Sequence, residues 1–579
     1  MKKVLIIFSA IVVLASVSSC NRMLDITPPN SITDEQVMDL LQNGTDAQKE
    51  AIVKGIVGSL PKYFNFDDSG SYGCSTGGAN TMRYSYVGIE WGRALMGADV
   101  VSGYNLEAND LAGKQVYRYS EDFRGSSAST NYCYWAMYAA AINQANVVLG
   151  FMTEDLAKGD NKLYKDGRAR ALLVRAYCYM CMMEEYQDAY LKGGKEKLGL
   201  PLYTEYDPLQ ETKERSSAEA TWAFIKKDIT DAIRYLTEAG IGYTTGRDAA
   251  EDFDLGVANF IYARASLLTG DYANCIKACD AIIGSKAYSL IKAENYGGRN
   301  TGEWTPTDSI KVLPHTNAFT SMACNPETIL GYKKNSGFYG QAADHFNLAN
   351  VFGNYSQQGN VSRIDETLYN KISDKDVRKK AFYPNEIGEY KFSNNNTGML
   401  PKYTNLKFSA TEGLADSGEE PSGKAAECTK LDYTKFRLAE VYLMKAEAEA
   451  ESSGDAKATI NTLLAARSAD PANVLSVKDY TGDIKDVIKR ADTLMYEDYA
   501  SAGSIKDIIK LQWRIEMWGE GGREWYNAKR WGTDIVRTSQ MHKDAGSLIS
   551  NWPANKMTLH IPTKEMQNNN KCVDNTINE

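Results

Sequence analysis

Aromatic side chains in two polar stretches are the residues of this sequence best suited to contact a ligand. The chain has 36 Tyr, 9 Trp and 16 Phe, and many of them lie in residues 63–123 and 286–430, which are rich in Gly, Asn, Ser and Thr. A tyrosine combines a flat apolar face with a hydrogen-bonding hydroxyl, which suits a ligand that has both apolar faces and polar groups. Because disordered segments are poor in aromatic residues, we expect both stretches to be ordered loops that carry a binding site.

Cysteine pairs at helical spacing are the second group with possible chemistry. Cys178-x-x-Cys181 and Cys275-x-x-x-Cys279 could each place two thiolates on one helix face as half of a zinc site. Cysteine is also among the residues most often buried as a small hydrophobe, and neither pair is flanked by further ligands. We therefore expect buried thiols, and neither a metal nor a cofactor. Of the ten cysteines, nine remain after Cys20 is set aside, so at least one stays outside a disulfide.

Catalytic patterns and nucleic-acid binding find little support. The four histidines are His315, His345, His542 and His560, and none lies in an H-E-x-x-H pattern. Adjacent carboxylates such as Asp67 and Asp68 are typical of solvated loops, so we assign no catalytic residue. With 65 Lys+Arg against 74 Asp+Glu, the net charge is −9, which argues against a DNA or RNA partner.

The first twenty residues have the composition of a secretory signal that ends in a lipid-accepting cysteine. Lys2 and Lys3 precede an apolar run too short to cross a bilayer, and small residues lead directly into Cys20. This arrangement resembles the lipobox of bacterial lipoproteins. We expect residues 1–19 to be removed and Cys20 to carry the acyl chains of a membrane anchor, followed by a tether over residues 20–32.

Helical periodicity predicts the elements that hold the two loop regions. A capping box at Thr33 begins a helix expected to run toward Leu60, and further helices are predicted at residues 131–152, 168–185 and 217–236. Two helix–turn–helix units then follow, 255–283 around Gly270-Asp271 and 435–467 around Gly454-Asp455, and they resemble tetratricopeptide helix pairs. The stretch 286–430 separates them as an insert that contains short strands such as residues 329–332.

Several short motifs follow one another in a characteristic order from the N-terminus to the C-terminus. They are the signal ending at Cys20, Asp25-Ile26-Thr27-Pro28, residues 169–177 (ARALLVRAY), 198–202 (LGLPL), 436–448 (FRLAEVYLMKAEA), 514–532 (RIEMWGEGGREWYNAKRWG) and His560-Ile561-Pro562. Together they resemble the SusD/RagB family of Bacteroidetes outer-membrane lipoproteins, and the resemblance extends over essentially the whole chain.

The resemblance implies a mainly α fold, in which a tetratricopeptide-like helix-pair scaffold carries a large loop-rich insert with short β-strands. It implies one domain over residues 33–579, made of an N-terminal helical part (33–285), the insert (286–430) and a C-terminal helical part (431–579). The implied protein is exposed on the cell surface and anchored in the outer membrane by its lipid. It captures a nutrient, most often an oligosaccharide, for a SusC-like TonB-dependent β-barrel transporter.

The resemblance also suggests which residues contact the ligand. In the family's starch-binding founder, aromatic residues of an early loop and a tyrosine of the insert form the site, and the matching stretches here are 99–105 and 334–340. Tyr104, Tyr339 and Trp304 are thus the predicted stacking residues, with Asn105 as a polar partner. The early stretch lacks the founder's pair of tryptophans, which argues against starch itself.

Charged residues within the motifs receive a different role. They are predicted to form ion pairs and helix-end bonds of the framework, and they are Arg175, Arg437, Glu440, Glu447, Arg514, Glu516, Arg523 and Arg530. Three alternatives to saccharide uptake stay open: peptide uptake by a member of the same family, a surface glycoside hydrolase that uses two carboxylates, and a scaffold that binds other proteins.

Overall fold

The computed structural model of the chain describes residues 33–60, 86–101, 124–207, 209, 211–243, 252–297, 317–333, 361–391, 397–408, 432–468, 494–545 and 550–575. The chain consists of two compact units, Met1–Gly58 and Ser59–Glu579. Cys20 and the predicted tether lie outside the described residues.

The first unit contains helices α1 (Asp34–Asn43) and α2 (Asp46–Gly58). The predicted capping box is confirmed, because the Thr33 hydroxyl accepts from the Gln36 N–H at 3.2 Å and the Gln36 side chain accepts from the Thr33 N–H at 3.0 Å. The single helix predicted toward Leu60 is wrong. Gly44 is extended, and Thr45 and Gln48 repeat the same capping arrangement, so a second helix starts there.

The described part of the second unit is mainly helical. Its α-helices are α3 (Tyr86–Met96), α4 (Ser129–Phe151), α5 (Glu154–Lys158), α6 (Lys162–Tyr186), α7 (Ala218–Ala239), α8 (Leu255–Leu268), α9 (Tyr272–Gly284), α10 (Glu366–Tyr369), α11 (Leu438–Glu451), α12 (Ala456–Arg467), α13 (Ile505–Glu516), α14 (Arg523–Trp531), α15 (Gln540–Asp544) and α16 (Thr563–Asn568). Short 3-10 helices span Tyr190–Lys192, Ala293–Asn295, Met322–Cys324, Val377–Ala381, Tyr496–Ala502 and Ala554–Lys556.

Short strands join these helices. They are β1 (Val100–Val101), β2 (Leu198–Pro201), β3 (Arg215–Ser217), β4 (Thr328–Tyr332), β5 (Arg363–Ile364), β6 (Phe382–Tyr383), β7 (Ile387–Lys391), β8 (Thr397–Leu400), β9 (Thr404–Asn405), β10 (Tyr433–Arg437), β11 (Ile535–Val536) and β12 (Asn551–Trp552). One antiparallel sheet has the order β1-β5-β9-β6, and the other strands pair as β4–β10, β2–β3, β7–β8 and β11–β12. Strands within residues 286–430 confirm the predicted mixture of loops and short strands in the insert.

Helix α6 lies at the centre of the helical layer. Apolar residues surround it on all sides, as its sequence predicted, because α4 packs on one side and α7 on the other. Helix α7 is amphipathic instead: Trp222, Ile225, Ile229 and Leu236 are buried, and its outer face carries charged residues. The Ser217 hydroxyl accepts from the Ala220 N–H at 3.1 Å, which caps the start of α7.

The two predicted helix pairs are present. Helices α8 and α9 form the first, and their turn requires glycine because Gly270 has a φ of +73°. Helices α11 and α12 form the second, and α9 packs directly against α11. The start predicted for the second pair is corrected: residues 435–437 belong to β10, where Phe436 stacks on Phe260 with ring centroids 4.3 Å apart.

Candidate ligand-binding site

The four residues predicted to contact a ligand lie outside the described residues. They are Tyr104, Asn105, Trp304 and Tyr339. The described chain instead defines the elements next to their segments. Tyr104 and Asn105 lie in the segment that follows β1, and Tyr339 lies in the segment between β4 and β5. The four-stranded sheet and the β4–β10 pair form the base of these two segments, whereas the segment of Trp304 follows the 3-10 helix Ala293–Asn295.

The register of β1 and β5 brings two distant parts of the chain together. Val100 pairs with Ile364 and Val101 with Arg363. Residues 102–123 follow β1 directly, and residues 334–360 end just before β5. The end of β4 leads into the same segment 334–360, and Tyr332 there stacks on Tyr433 with ring centroids 5.7 Å apart. The two loop regions therefore share one base.

The C-terminal motif holds the chain that leads into β1. The Arg514 guanidinium pairs with both carboxylate oxygens of Asp99, with Nε 2.9 Å from Oδ2. The Glu524 carboxyl group accepts from the Ala98 N–H at 2.7 Å and the Asp99 N–H at 2.9 Å. Trp518 Nε1 donates to the Asp99 carbonyl at 2.8 Å. Every backbone position just before β1 is thus fixed by residues about 400 positions later in the sequence.

Close approach explains a glycine at this point. A Cβ on Gly97 would lie 1.9 Å from Glu524 Oε2, so a larger residue would displace the carboxylate. Arg537 Nε donates to the Gly97 carbonyl at 2.9 Å, and His542 Nε2 lies 2.8 Å from the Ala98 carbonyl. Burial and the nearby Arg537 lower the pKa of His542 to about 4, so a neutral imidazole donates this bond.

The same region fixes the return of the later segment. The Asp365 N–H donates to the Asp99 carbonyl at 3.0 Å, directly after β5. The Ser539 hydroxyl donates to the Asp365 carboxylate, and the Thr367 N–H donates to that carboxylate at 2.9 Å. Strands β1 and β5, which adjoin the two loop regions, are therefore both attached to the C-terminal helices.

A fully buried ion network lies beneath β4 and β10. The Glu516 carboxylate accepts from Arg437 Nη1 at 2.7 Å, Arg467 Nη2 at 2.9 Å and Arg378 Nη1 at 3.1 Å. The side chains of all four residues are at most 1% exposed. Burial by itself would raise the pKa of Glu516. The three guanidinium groups outweigh that effect and hold the pKa well below its usual value.

Two further carboxylates complete the ion network. Glu327 accepts from Arg467 Nη2 at 2.6 Å and Arg437 Nη1 at 3.0 Å, and also from the backbone N–H groups of Ile291 and Ala439. Glu520 accepts from Arg437 Nε at 2.7 Å. Because these groups come from the residue just before β4, from β10, from α12 and from the C-terminal motif, the network holds those elements together.

A buried lysine extends the ion network toward the insert. Lys407 Nζ donates to Glu520 at 2.6 Å and to the carbonyls of Glu516 and Trp518 at 2.9 Å. The Phe319 ring centroid is 4.7 Å from the ammonium nitrogen. Burial lowers the pKa of Lys407 to about 8, against the attraction of Glu520.

The charged residues of the family motifs act as predicted. They form framework ion pairs: Arg175 with Asp228, Arg437 with Glu516, Arg514 with Asp99, Arg523 with Glu440 and Arg530 with Glu447. The prediction that they support the fold is confirmed. Sequence reasoning did not identify what they hold, because the partner Asp99 is about 400 residues distant from Arg514.

The cysteines of the two spaced pairs are buried free thiols. Cys178, Cys181, Cys275 and Cys279 carry no disulfide, whereas Cys133 is disulfide-bonded. Burial raises the pKa of Cys181 to about 12, which keeps the thiol protonated. Across the described ranges, His, Cys, Asp and Glu side chains form no group of three that could hold a metal ion. In the same ranges no helix has the length and apolarity needed to span a bilayer.

Two partly exposed tyrosines beside the sheet were missed by the sequence analysis. Tyr369 ends α10 and Tyr403 precedes β9, and their ring centroids are 4.7 Å apart. The residues are 34 positions apart in the sequence, so no local pattern links them. The only feature of the sequence that could have identified them is that both lie among polar residues of the insert.

Two family models match the chain. The model described as the SusD family matches residues 346–577, and the model described as starch-binding associating with outer membrane matches residues 97–250. None of the curated proteins matches significantly. The matched regions contain the two halves of the β1–β5 base, because β1 lies in the second region and β5 in the first.

Solved structures share the fold. A SusD superfamily protein from Bacteroides thetaiotaomicron is 18% identical with a TM-score of 0.59, and the match covers 91% of this chain and 99% of that one. A SusD-like carbohydrate binding protein from Bacteroides vulgatus is 21% identical with a TM-score of 0.56, and the match covers 85% of each chain.

A third structure contains a bound glycan. Surface glycan-binding protein A from Bacteroides thetaiotaomicron, in complex with laminarihexaose, is 14% identical with a TM-score of 0.57, and the match covers 91% of this chain and 99% of that one. This glycan-binding protein and the one from Bacteroides vulgatus are described as binding proteins. The two family models and the shared fold together support a SusD-like family member.

Proposed function

We propose that this protein is a cell-surface lipoprotein that captures an oligosaccharide and delivers it to a SusC-like TonB-dependent transporter. The single observation that carries the proposal is the β1–β5 pairing, which gives the two aromatic-rich loop regions a common rigid base. Cys20 is its proposed lipid anchor in the outer membrane. The protein binds without catalysing a reaction, as the descriptions of its structural neighbours indicate for those proteins.

Chain connectivity supports the proposed contact residues. In the sequence, Tyr104 follows the last residue of β1, Val101, by three positions, and Tyr339 follows the last residue of β4, Tyr332, by seven. Tyr104, Tyr339 and Trp304 stack on the ligand in this proposal, while Asn105 bonds its hydroxyl groups.

We take the ligand to be an uncharged polar chain. Among the described residues at the base, Arg514 is already paired with Asp99 inside the protein, so its charge is not offered to a ligand. Sugar rings present apolar faces between polar hydroxyls, so they match the aromatic faces and the amide of the proposed contact residues. Peptide uptake and glycan hydrolysis are the competing functions.

Calorimetry of the full mature chain with laminarihexaose, maltohexaose, cellohexaose, a host and plant glycan panel and a peptide pool tests the proposal. We expect a saccharide to bind, and Tyr339→Ala to weaken it about tenfold by removing a stacking face. Tyr496→Ala is the matched control, because Tyr496 is a partly exposed tyrosine of the C-terminal part with Lys457 over its ring.

Each competing function predicts another outcome. Binding of peptides and of no saccharide would replace the oligosaccharide by a peptide ligand. Release of shorter saccharides from the bound glycan would show an enzyme. Cys20→Ala should release the protein from the membrane fraction, and co-purification of a β-barrel transporter with the wild-type protein tests delivery.

A further inference from the structure

Tyr369 and Tyr403 form a pair of partly exposed rings beside the four-stranded sheet. Their ring centroids are 4.7 Å apart and their planes are inclined by 45°, so the pair forms an angled aromatic surface. Strand register fixes where this surface lies. Val101 pairs with Arg363, and Arg363 pairs with Thr404. Since neighbouring strands are about 4.8 Å apart, Thr404 lies about 10 Å from the end of β1.

The backbone conformation of Tyr403 is unfavourable for a residue with a side chain. Its φ is +67°, a left-handed conformation that the Cβ of an L-residue disfavours. Two backbone bonds impose it: the Tyr403 N–H donates to the Tyr383 carbonyl at 2.6 Å, and the Ile364 N–H donates to the Tyr403 carbonyl at 3.1 Å. Glycine would satisfy the same bonds with less strain, so the ring itself has a use at this position.

The hydroxyl groups of the pair have no protein partner among the described residues. Buried tyrosines elsewhere differ: Tyr186 donates to the Asn131 carbonyl at 2.8 Å, and Tyr433 donates to Glu90 at 2.6 Å. A buried tyrosine usually has its hydroxyl bonded in this way, whereas the hydroxyls of this partly exposed pair are not. The two free hydroxyl groups are available to an external polar molecule.

Polar side chains border the two rings. Lys379 Nζ is 5.1 Å from the Tyr369 ring centroid, and it also pairs with Asp374 at 2.7 Å. Asn370 and Lys402, each next to one of the tyrosines in sequence, are exposed. Amide and ammonium groups around an aromatic face are the combination that recognises a sugar ring, whose faces are apolar and whose edge carries hydroxyls.

We propose that Tyr369 and Tyr403 form a further saccharide-contacting platform, which packs against one pyranose ring of the bound oligosaccharide. The inference rests on the proposed function and adds a second place on the protein surface that the bound oligosaccharide must reach. Asn370 and Lys402 bond the hydroxyls of that sugar ring. A ligand long enough to extend across the sheet binds more tightly than a short one for this reason.

The experiment measures affinity and thermal stability together on the full mature chain. Tyr403→Gly removes the ring and relieves the strained φ, so we expect the melting temperature to stay equal or rise. The dissociation constant of the hexasaccharide bound by the wild-type protein should rise about three- to tenfold. Tyr369→Ala should raise the dissociation constant of the hexasaccharide by a similar factor, and that of the corresponding disaccharide by less.

The controls separate a platform from ordinary packing. Tyr496→Ala, with a lysine over the ring but no second ring, should leave the affinity unchanged. If Tyr403→Gly lowers the melting temperature and leaves the affinity unchanged, the pair is a packing contact and the inference is overturned. If Tyr339→Ala weakens the saccharide and Tyr403→Gly does not, the proposed function stands without this platform. A wild-type protein that binds none of the saccharides overturns both.

Discussion

Replacing Glu516 by glutamine should strongly destabilise the protein. Glu516 is the one residue in contact with Arg378, Arg437 and Arg467 in the described part of the ion network. Glutamine has nearly the same volume, so no cavity forms. The side-chain carbonyl of the glutamine can still accept a hydrogen bond from one guanidinium group. Its NH2 group, however, would face the N–H donors of another guanidinium group.

The magnitude follows from the charges of the network. Arg378, Arg437, Arg467 and Lys407 contribute four positive charges, and Glu327, Glu516, Glu520 and Asp376 contribute four negative ones. The net charge of these eight groups is zero in the wild type and +1 in the Glu516→Gln variant. Since leaving a buried charge without its partner costs about 3–5 kcal/mol, we expect the free energy of unfolding to fall by about 4 kcal/mol.

Urea unfolding followed by tryptophan fluorescence and circular dichroism measures the loss. Trp518 is buried and bonded to the Asp99 carbonyl, and it is one of the nine tryptophans whose emission should change on unfolding. Coincidence of the two signals tests whether unfolding is two-state in a chain of this length. Glu238→Gln is the matched control, because Glu238 pairs with Lys165 and Arg234 at the surface, and its replacement should leave the free energy of unfolding nearly unchanged.

Two outcomes would contradict this reasoning. A Glu516→Gln variant as stable as the Glu238→Gln variant would mean that the network tolerates a net charge. Adding Lys407→Met to Glu516→Gln restores neutrality, so the double variant should recover part of the loss. A double variant that is less stable than the sum of the two single changes would exclude charge balance as the cause.

Two other predictions concern the residues around the base. Burial and the neighbouring Asp99 raise the pKa of Glu524 to about 8, so the folded protein holds a proton that the unfolded chain releases between pH 4.5 and 8. The free energy of unfolding therefore falls as the pH rises through this window, by at most about 1.4 kcal/mol per pH unit. Glu524→Gln should flatten this dependence of stability on pH. An unchanged slope in the variant would mean that other groups cause the dependence. Arg530→Lys loses one of two parallel bonds to Glu447, at 2.5 and 2.6 Å, and should cost about 1–2 kcal/mol in urea unfolding, whereas an unaffected midpoint would show that the bidentate geometry is unimportant.

Local patterns predicted the helical scaffold well. The Thr33 capping box, the apolar surface of α6 and the Gly270 turn depend on residues a few positions apart, so the sequence is sufficient to recognise them. The same patterns gave one helix instead of α1 and α2, because the second capping arrangement at Thr45 was overlooked.

Contacts between distant residues could not be predicted in this way. The pairing of Val101 with Arg363, the attachment of Asp99 to Arg514 and the approach of Tyr369 to Tyr403 each require the complete fold. The predicted ligand residues Tyr104, Asn105, Trp304 and Tyr339 came from resemblance to a family and stay predictions.

The sequence by itself determined the helix pairs, the family and the ionic character of the framework, since these depend on periodicity and on motif order. The tertiary structure decided what the charged motif residues hold. Arg514, Glu524 and Trp518 fix the backbone before β1, and this arrangement arises only when the C-terminal helices pack against the start of the binding loops. A carboxylate or a guanidinium is recognisable in a sequence, but its partner is set by distances through space.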